Sequence, residues 1–287
     1  MNSRGEPLGL DHQALLAPLI AASGSPLSEY SFANLFLFRE AHAYRVVTEP
    51  FVHVLGVTYD GLRHAMPLAP LAALDRGTVD VLLDHADGLY PMAEADLAAA
   101  GELGLVARAH DADSDYLYDS MRLSTFRGRA IRRKRSQAMG FWLTMKPVAA
   151  PIDDGSAAGA AAVLDGWLAD VDRAAADTDH AACRAALAHR AELALEGILV
   201  SSGDGEPLGF LLAGILPDGS KAVHFAKGRR AHAGVYPWMF ACFAARSGVA
   251  RLNFEQDLGK PGFARAKQAF DPVARLAKYR LFRGDTA

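Results

Sequence analysis

Three apolar runs between residues 195 and 228 constrain this chain more than any other feature: LEGILVSS, LGFLLAGIL and KAVHFAKG, parted by GDGEP and PDGS. Each run is of strand length and each divider is rich in Gly, Asp or Pro. The segment therefore reads as three consecutive antiparallel strands joined by tight turns. A sheet begun this way must cover its apolar faces with helices. The flanking sequence supplies them, at about 160 to 174 and 181 to 194 before the meander, and in VYPWMFACFAARSG and GFARAKQAF after it. Further strands lie in ARLNFEQD and RLAKYRLF.

The resulting order is helix, helix, three-strand meander, helix, strand, helix, strand. It resembles that of a GNAT-type N-acyltransferase domain. The first half is less regular. LLAPLIAASGSP, residues 15 to 26, reads as an amphipathic helix, and SEYSFANLFLFREAHAYRVV as a helix or turn running into a strand near Tyr44 to Thr48. A hairpin turns at Asp60-Gly61. Residues 79 to 104 read as strand, loop and Ala-rich helix, followed by strands in GLVARAHDADSDYLYD. A basic helix over about 124 to 141 then leads to the Ala- and Gly-rich AAPIDDGSAAGAAAV, which places a domain boundary near residue 145.

The chain has 287 residues, 51% of them hydrophobic, which is enough for one or two globular cores and argues against disorder. At a net charge of −3, attraction for a polyanion must come from a local patch. Cys183 and Cys242 lack the spacing of a disulfide framework or a zinc site, so no metal is expected, and the cytoplasm is the expected compartment. No run reaches the roughly 18 to 20 apolar residues of a spanning helix. Contact with a membrane surface stays open.

Two features point to chemistry. In LNFEQD, strand alternation places Asn253, Glu255 and Asp257 on one face and Leu252 and Phe254 on the other. In GFARAKQAF, Phe263, Ala266 and Phe270 form an apolar stripe that includes Lys267. A lysine there calls for a carboxylate, so Lys267 is expected to pair with Glu255 or Asp257, leaving the other for a ligand's ammonium. In KAVHFAKG, alternation puts His224 and Lys227 on opposite faces, with Lys227 able to stabilise a carbonyl oxygen during acyl transfer.

The second feature is the basic run. Arg127, Arg129, Arg132, Arg133, Lys134 and Arg135 lie within nine residues. At 100° per residue they point almost all round a helix, so some face solvent or a polyanion: nucleic-acid phosphate or anionic lipid headgroups. Arg229 and Arg230 open the loop after KAVHFAKG, and Tyr116 and Tyr118 lie near enough in sequence to serve as stacking platforms. An acetyl coenzyme A turn of the form Q/R-x-x-G-x-G/A would fall on Arg229, His232 and Gly234, where histidine replaces the first glycine. That departure makes coenzyme A a poorer fit.

SEYSFANLFLFRE, DSDYLYD, RGRAIRRKRSQAMGF, VHFAKG, RLNFEQDLG and GFARAKQAF followed by Asp271-Pro272 resemble, in order and over nearly the whole chain, the soluble C-terminal domain of phosphatidylglycerol lysyltransferase and its free-standing relatives. The resemblance implies an α+β fold of two tandem GNAT-like domains, 1–145 and 146–287, each a mixed, mainly antiparallel sheet flanked by helices. It also implies transfer of an aminoacyl group from aminoacyl-tRNA to an amine or hydroxyl of a small molecule, peptide or lipid, with no further cofactor. The motif N-x-E-x-D-L-G falls on Asn253, Glu255, Asp257 and Gly259, and the family's lysines on Lys227 and Lys267. Family members often have Glu where this chain has Ala226.

The expected catalytic set is Lys227, Glu255 and Asp257, with Asn253, Lys267, His224 and Tyr116 around the substrate. Arg129, Arg132, Arg133, Lys134, Arg135, Arg229 and Arg230 are expected on tRNA phosphates. The alternatives are a transferase using acetyl or acyl coenzyme A, and a binding protein that keeps the fold without catalysis.

Overall fold

The computed structural model describes residues 5–284. Its strands are β1 (Glu6–Pro7), β2 (Arg45–Val47), β3 (His53–Val57), β4 (Arg63–Pro67), β5 (Gly88–Met92), β6 (Leu105–Ala109) and β7 (Asp115–Asp119), then β8 (Val148–Pro151), β9 (Glu196–Ser201), β10 (Pro207–Ile215), β11 (Lys221–Gly228), β12 (Arg251–Asn253), β13 (Ala274–Leu276) and β14 (Tyr279–Arg283). The helices are α1 (Gln13–Ala22), α2 (Phe32–Leu37), α3 (Arg76–His85), α4 (Leu97–Glu102), α5 (Ser120–Thr125), α6 (Arg132–Met145), α7 (Ala157–Val171), α8 (His180–Ala188), α9 (Val235–Arg246) and α10 (Pro261–Gln268).

The strands form two mixed seven-stranded sheets in the orders β1-β2-β3-β4-β5-β14-β6 and β13-β7-β12-β11-β10-β9-β8. The two follow one plan. In each, an antiparallel meander (β2 to β4, β9 to β11) leads through a helix (α3, α9) to a strand parallel to its last member (β5, β12). The seventh strand of each half is exchanged. β7 lies between β12 and β13 in the second sheet, and β14 lies between β5 and β6 in the first.

This exchange corrects the picture of two sheets parting near residue 145. The repeat does resume at β8, with α5 and α6 between, but each sheet is completed by the other half. The run RLAKYRLF accordingly splits into two short strands that serve different sheets.

Two other local expectations change. Val79 to Leu83 belong to a helix whose Val79, Leu82 and Leu83 face the core at helical spacing, with the Asp75 carboxylate accepting from Thr78 N–H at its start. The basic helix is interrupted: α5 ends at Thr125 and α6 begins at Arg132, leaving Arg127 and Arg129 in the exposed connection.

The largest core cluster joins the halves. Leu16, Leu35 and Phe36 of α1 and α2 pack in the same cluster as Val163, Cys183, Phe210 and Phe225 of the second half. Among the described residues no helix is long and apolar enough to cross a membrane.

Candidate active site

A cavity of about 1200 Å³ is lined from both halves, by α2 and its C-terminal loop, β11, the N-terminal ends of α8 and α6, the turn at 254 to 258, and α10. The turn is the centre of the site. β12 stops at Asn253, and Glu255 takes a left-handed φ of 58° with Asn253 Oδ1 accepting from its N–H at 2.7 Å. Strand alternation therefore ends too early for Asn253, Glu255 and Asp257 to share a face. The structure sends them three ways.

Asn253 is fully buried and braces the junction, its amide donating to Pro26 O at 3.1 Å and to Asp115 Oδ2 at 2.9 Å. Asp257 is also buried and both its oxygens are used, Oδ2 by the Tyr116 hydroxyl at 2.6 Å and Oδ1 by Gly259 N–H at 2.9 Å. Neither residue lines the cavity. Tyr116, fully buried on the exchanged strand β7, offers no face to a base; its place is in the second core.

Glu255 does line the cavity. Its Oε1 accepts from Asn34 Nδ2 at 3.0 Å and from His224 Nδ1–H at 2.8 Å. No described residue donates to Oε2. Two donors thus fix the carboxylate by one oxygen and leave the other open to a ligand.

His224 reaches Glu255 because β11 bulges there: Leu212 pairs with Phe225 and Ala213 with Val223, so His224 is the extra residue. A bulge breaks alternation. His224 and Lys227, expected on opposite faces, both line the cavity.

Lys227 is not free. Its ammonium donates to both oxygens of Asp179, at 2.7 Å each, and sits 3.9 Å from the Trp167 ring centroid. Asp179, 48 residues earlier in the chain, thus supplies the carboxylate partner of Lys227.

Lys267 departs most from expectation. It pairs with no described carboxylate; its ammonium donates to the main-chain carbonyls of Glu255 at 3.0 Å and Gln256 at 2.5 Å. The left-handed turn at Glu255 presents these consecutive carbonyls. Burial draws its pKa down to about 8, only partly opposed by Glu255 and more distant carboxylates.

A lysine whose folded pKa lies below its unfolded value of about 10.4 binds fewer protons when folded, so stability rises with pH between about 8 and 10.4. The penalty is fully present below that window. In Lys267→Met this alkaline rise, on the order of 2–4 kcal/mol, should vanish from urea unfolding curves taken across the window. An unchanged rise would assign it to another group.

The basic groups divide. Lys134, half-buried over the Phe270 ring at 4.5 Å with its pKa lowered by burial, lines the cavity. Exposed Arg173, Arg230 and Lys260 also line it, against exposed Glu40 and Asp177. Arg132, Arg133 and Arg135 are exposed on α6, and they and Arg129 make no ion pair with a described carboxylate. Arg229 is occupied, its Nε 3.0 Å from Asp170 Oδ2, and Arg230 donates its N–H to the same oxygen at 2.9 Å.

Two contributors are not anticipated from the sequence: Asn34 and Asp179. Asn34 alone left a trace, as the single polar residue of the wholly buried α2.

Two sheets of one plan, each a meander with a helix and a parallel strand after it, define a protein of two GNAT-like domains. The chain belongs to the phosphatidylglycerol lysyltransferase, C-terminal, family, whose profile matches residues 21–282. A conserved protein of unknown function from Bacteroides thetaiotaomicron is similar in structure, with a TM-score of 0.81, 19% identity, and 96% of this chain and 98% of that chain covered. L-PGS from Bacillus licheniformis gives a TM-score of 0.63 at 12% identity over 100% of this chain and 95% of that chain. The C-terminal domain of a putative lysylphosphatidylglycerol synthetase from Agrobacterium fabrum gives 0.63 at 13% identity over 96% and 93%. No curated protein matches.

Proposed function

We propose that this chain is an aminoacyltransferase that takes its aminoacyl group from aminoacyl-tRNA and gives it to an amine or hydroxyl. The observation that carries this reading is the Glu255 carboxylate, pinned through Oε1 and open at Oε2 within the cavity. An α-ammonium matches it in charge and hydrogen bonding. Lys267 Nζ lies 3.0 Å from the same residue's carbonyl, so an ester whose ammonium rests on Glu255 meets an ammonium unmatched by any direct carboxylate contact.

In the reaction the acceptor's nitrogen or oxygen attacks the ester carbon, and the bond to the ribose oxygen breaks. The acceptor's proton leaves with the tRNA's terminal hydroxyl. The ester is already activated, so positioning and oxyanion stabilisation are what the site must supply. Lys267 fits the oxyanion role better than Lys227, whose charge Asp179 offsets. Basic Lys134, Arg230 and Lys260 on the cavity lining, with Arg132, Arg133 and Arg135 on α6, fit a phosphate backbone.

Coenzyme A fits less well. Its pyrophosphate would need the start of α9, where Arg230 N–H is taken by Asp170 and His232 N–H by Arg229 O. α6 packs over that start so closely that a Cβ on Gly234 would strike Gln137 O and Phe141.

Filter binding of aminoacyl-tRNA across salt concentrations tests the reading. Affinity should fall steeply with salt, and Ala at positions 132, 133 and 135 together should reduce the log–log slope by about 2 to 3. Absence of binding at low salt, with micromolar acetyl coenzyme A binding by calorimetry, would favour a coenzyme A enzyme.

A further inference from the structure

With the α-ammonium on Glu255 and the ester toward Lys267 and the basic lining, the wall beside Gln256 is open to the donor's side chain. A row of rings lines the cavity there: Phe38, His42, Tyr44, His64 and Tyr90, with successive centroids 6.4, 5.2, 6.1 and 5.3 Å apart. Gly56 lets the row close up, because a Cβ at that position would run into the Tyr44 and His64 rings.

Hydrogen-bonding capacity on this wall is unspent, whereas charge is not. Neither ring nitrogen of buried His64 has a partner among the described residues. Gln256 uses its amide oxygen, 3.1 Å from the Tyr90 hydroxyl and 3.4 Å from Lys278 Nζ, and no described acceptor takes its NH₂. Glu29, the carboxylate beside the row, is bound to Lys278, and it shares the one proton of the Tyr90 hydroxyl with Gln256. Burial lowers the pKa of His42, and that of His64 to about 3, so both rings are neutral.

We infer that this wall receives the donor's side chain and selects uncharged aminoacyl groups over lysyl or arginyl ones, with Gln256 as a residue that sets the preference. The inference rests on Glu255 holding the α-ammonium, as proposed above. A second ammonium would enter among rings whose one buried carboxylate, Glu29, is already committed to Lys278, while Glu40, the acid on the loop after α2, is exposed at the rim beside Arg39. Ring faces attract a cation less than its lost hydration and missing counter-charge cost. An uncharged aliphatic or aromatic side chain loses nothing of the kind and packs on the row.

Amino-acid amides carry the donor's head without its tRNA and make the test direct. Calorimetry should show alaninamide and phenylalaninamide binding about tenfold or more tighter than lysinamide. Gln256→Glu retains an acceptor for Tyr90 and Lys278 and adds a carboxylate oxygen, so it should reverse that order. Lysinamide binding the parent chain as tightly as the others, or tighter, overturns the inference and leaves the Glu255 site standing. Failure of every amide to bind overturns the Glu255 site and this inference with it. An order unchanged in Gln256→Glu removes Gln256 as the selector.

Discussion

Glu255→Gln is expected to fold like the parent chain and to lose transfer activity by about 100-fold or more, the scale on which a charged site contact is felt in catalysis. The amide oxygen can still accept from Asn34 and His224, so the turn and its braces keep their bonds. What changes is Oε2, the oxygen with no donor among the described residues; it becomes an NH₂ that repels an ammonium. Single-turnover transfer from aminoacyl-tRNA, with circular dichroism and urea unfolding as controls, reads both halves of the expectation. An active Glu255→Gln enzyme would place the donor's ammonium elsewhere. Asp257→Asn should instead be read in stability, since Asp257 accepts from Tyr116 and Gly259 outside the cavity.

The largest loss of stability is expected at Lys278. This fully buried lysine lies between β13 and β14, where the chain passes from one sheet to the other. Its ammonium lies 2.7 Å from Glu29 Oε2, 2.7 Å from Asp115 Oδ1 and 3.1 Å from Ser28 Oγ. Burial opposes its charge, yet Asp115 and Glu29 together hold its pKa above the ordinary lysine value. Lys278→Ala strands two buried carboxylates and should cost about 3–5 kcal/mol.

That loss should shrink at acid pH, because protonation of Glu29, whose pKa burial already raises, discharges one stranded carboxylate. Adding Glu29→Gln and Asp115→Asn to Lys278→Met should recover part of it. Urea unfolding at pH 7.5 and 5 measures these differences. A loss below about 1 kcal/mol would mean that water reaches the cluster.

What the sequence disclosed follows a physical division. The meander of β9 to β11 was legible because strand-length runs and Gly/Asp turns are local signals. Partner choice is not local. YRLF reads as a strand from its own residues, but nothing in it says that it inserts between β5 and β6. Val79 to Leu83 is short and apolar enough to suit either period, and the register of its buried residues decided for helix.

At the site, alternation groups Glu255 with Asn253 and Asp257, and that alternation stops at the positive φ of Glu255 itself. Lys267 sits on a stripe that the structure does not bury, since Phe263 and Ala266 are exposed and line the cavity while Phe270 alone is buried. Its partner was misjudged because an ammonium can be held by carbonyls as well as by carboxylates. The bulge at His224 and the reach of Asp179 across 48 residues left no mark in the sequence.

The exchange of β7 and β14 also bears on descent. A chain of half this length, carrying seven strands of the common plan, could complete its sheet only by borrowing the seventh strand from a second copy of itself. Two such copies would make a symmetric pair with the present strand order, and joining them end to end would turn an intermolecular loan into an internal one. Once joined, the two copies need not remain alike. One half can supply the donor's anchor on Glu255 while the other turns its aromatic row toward the same cavity, a division of labour closed to a symmetric pair with identical subunits.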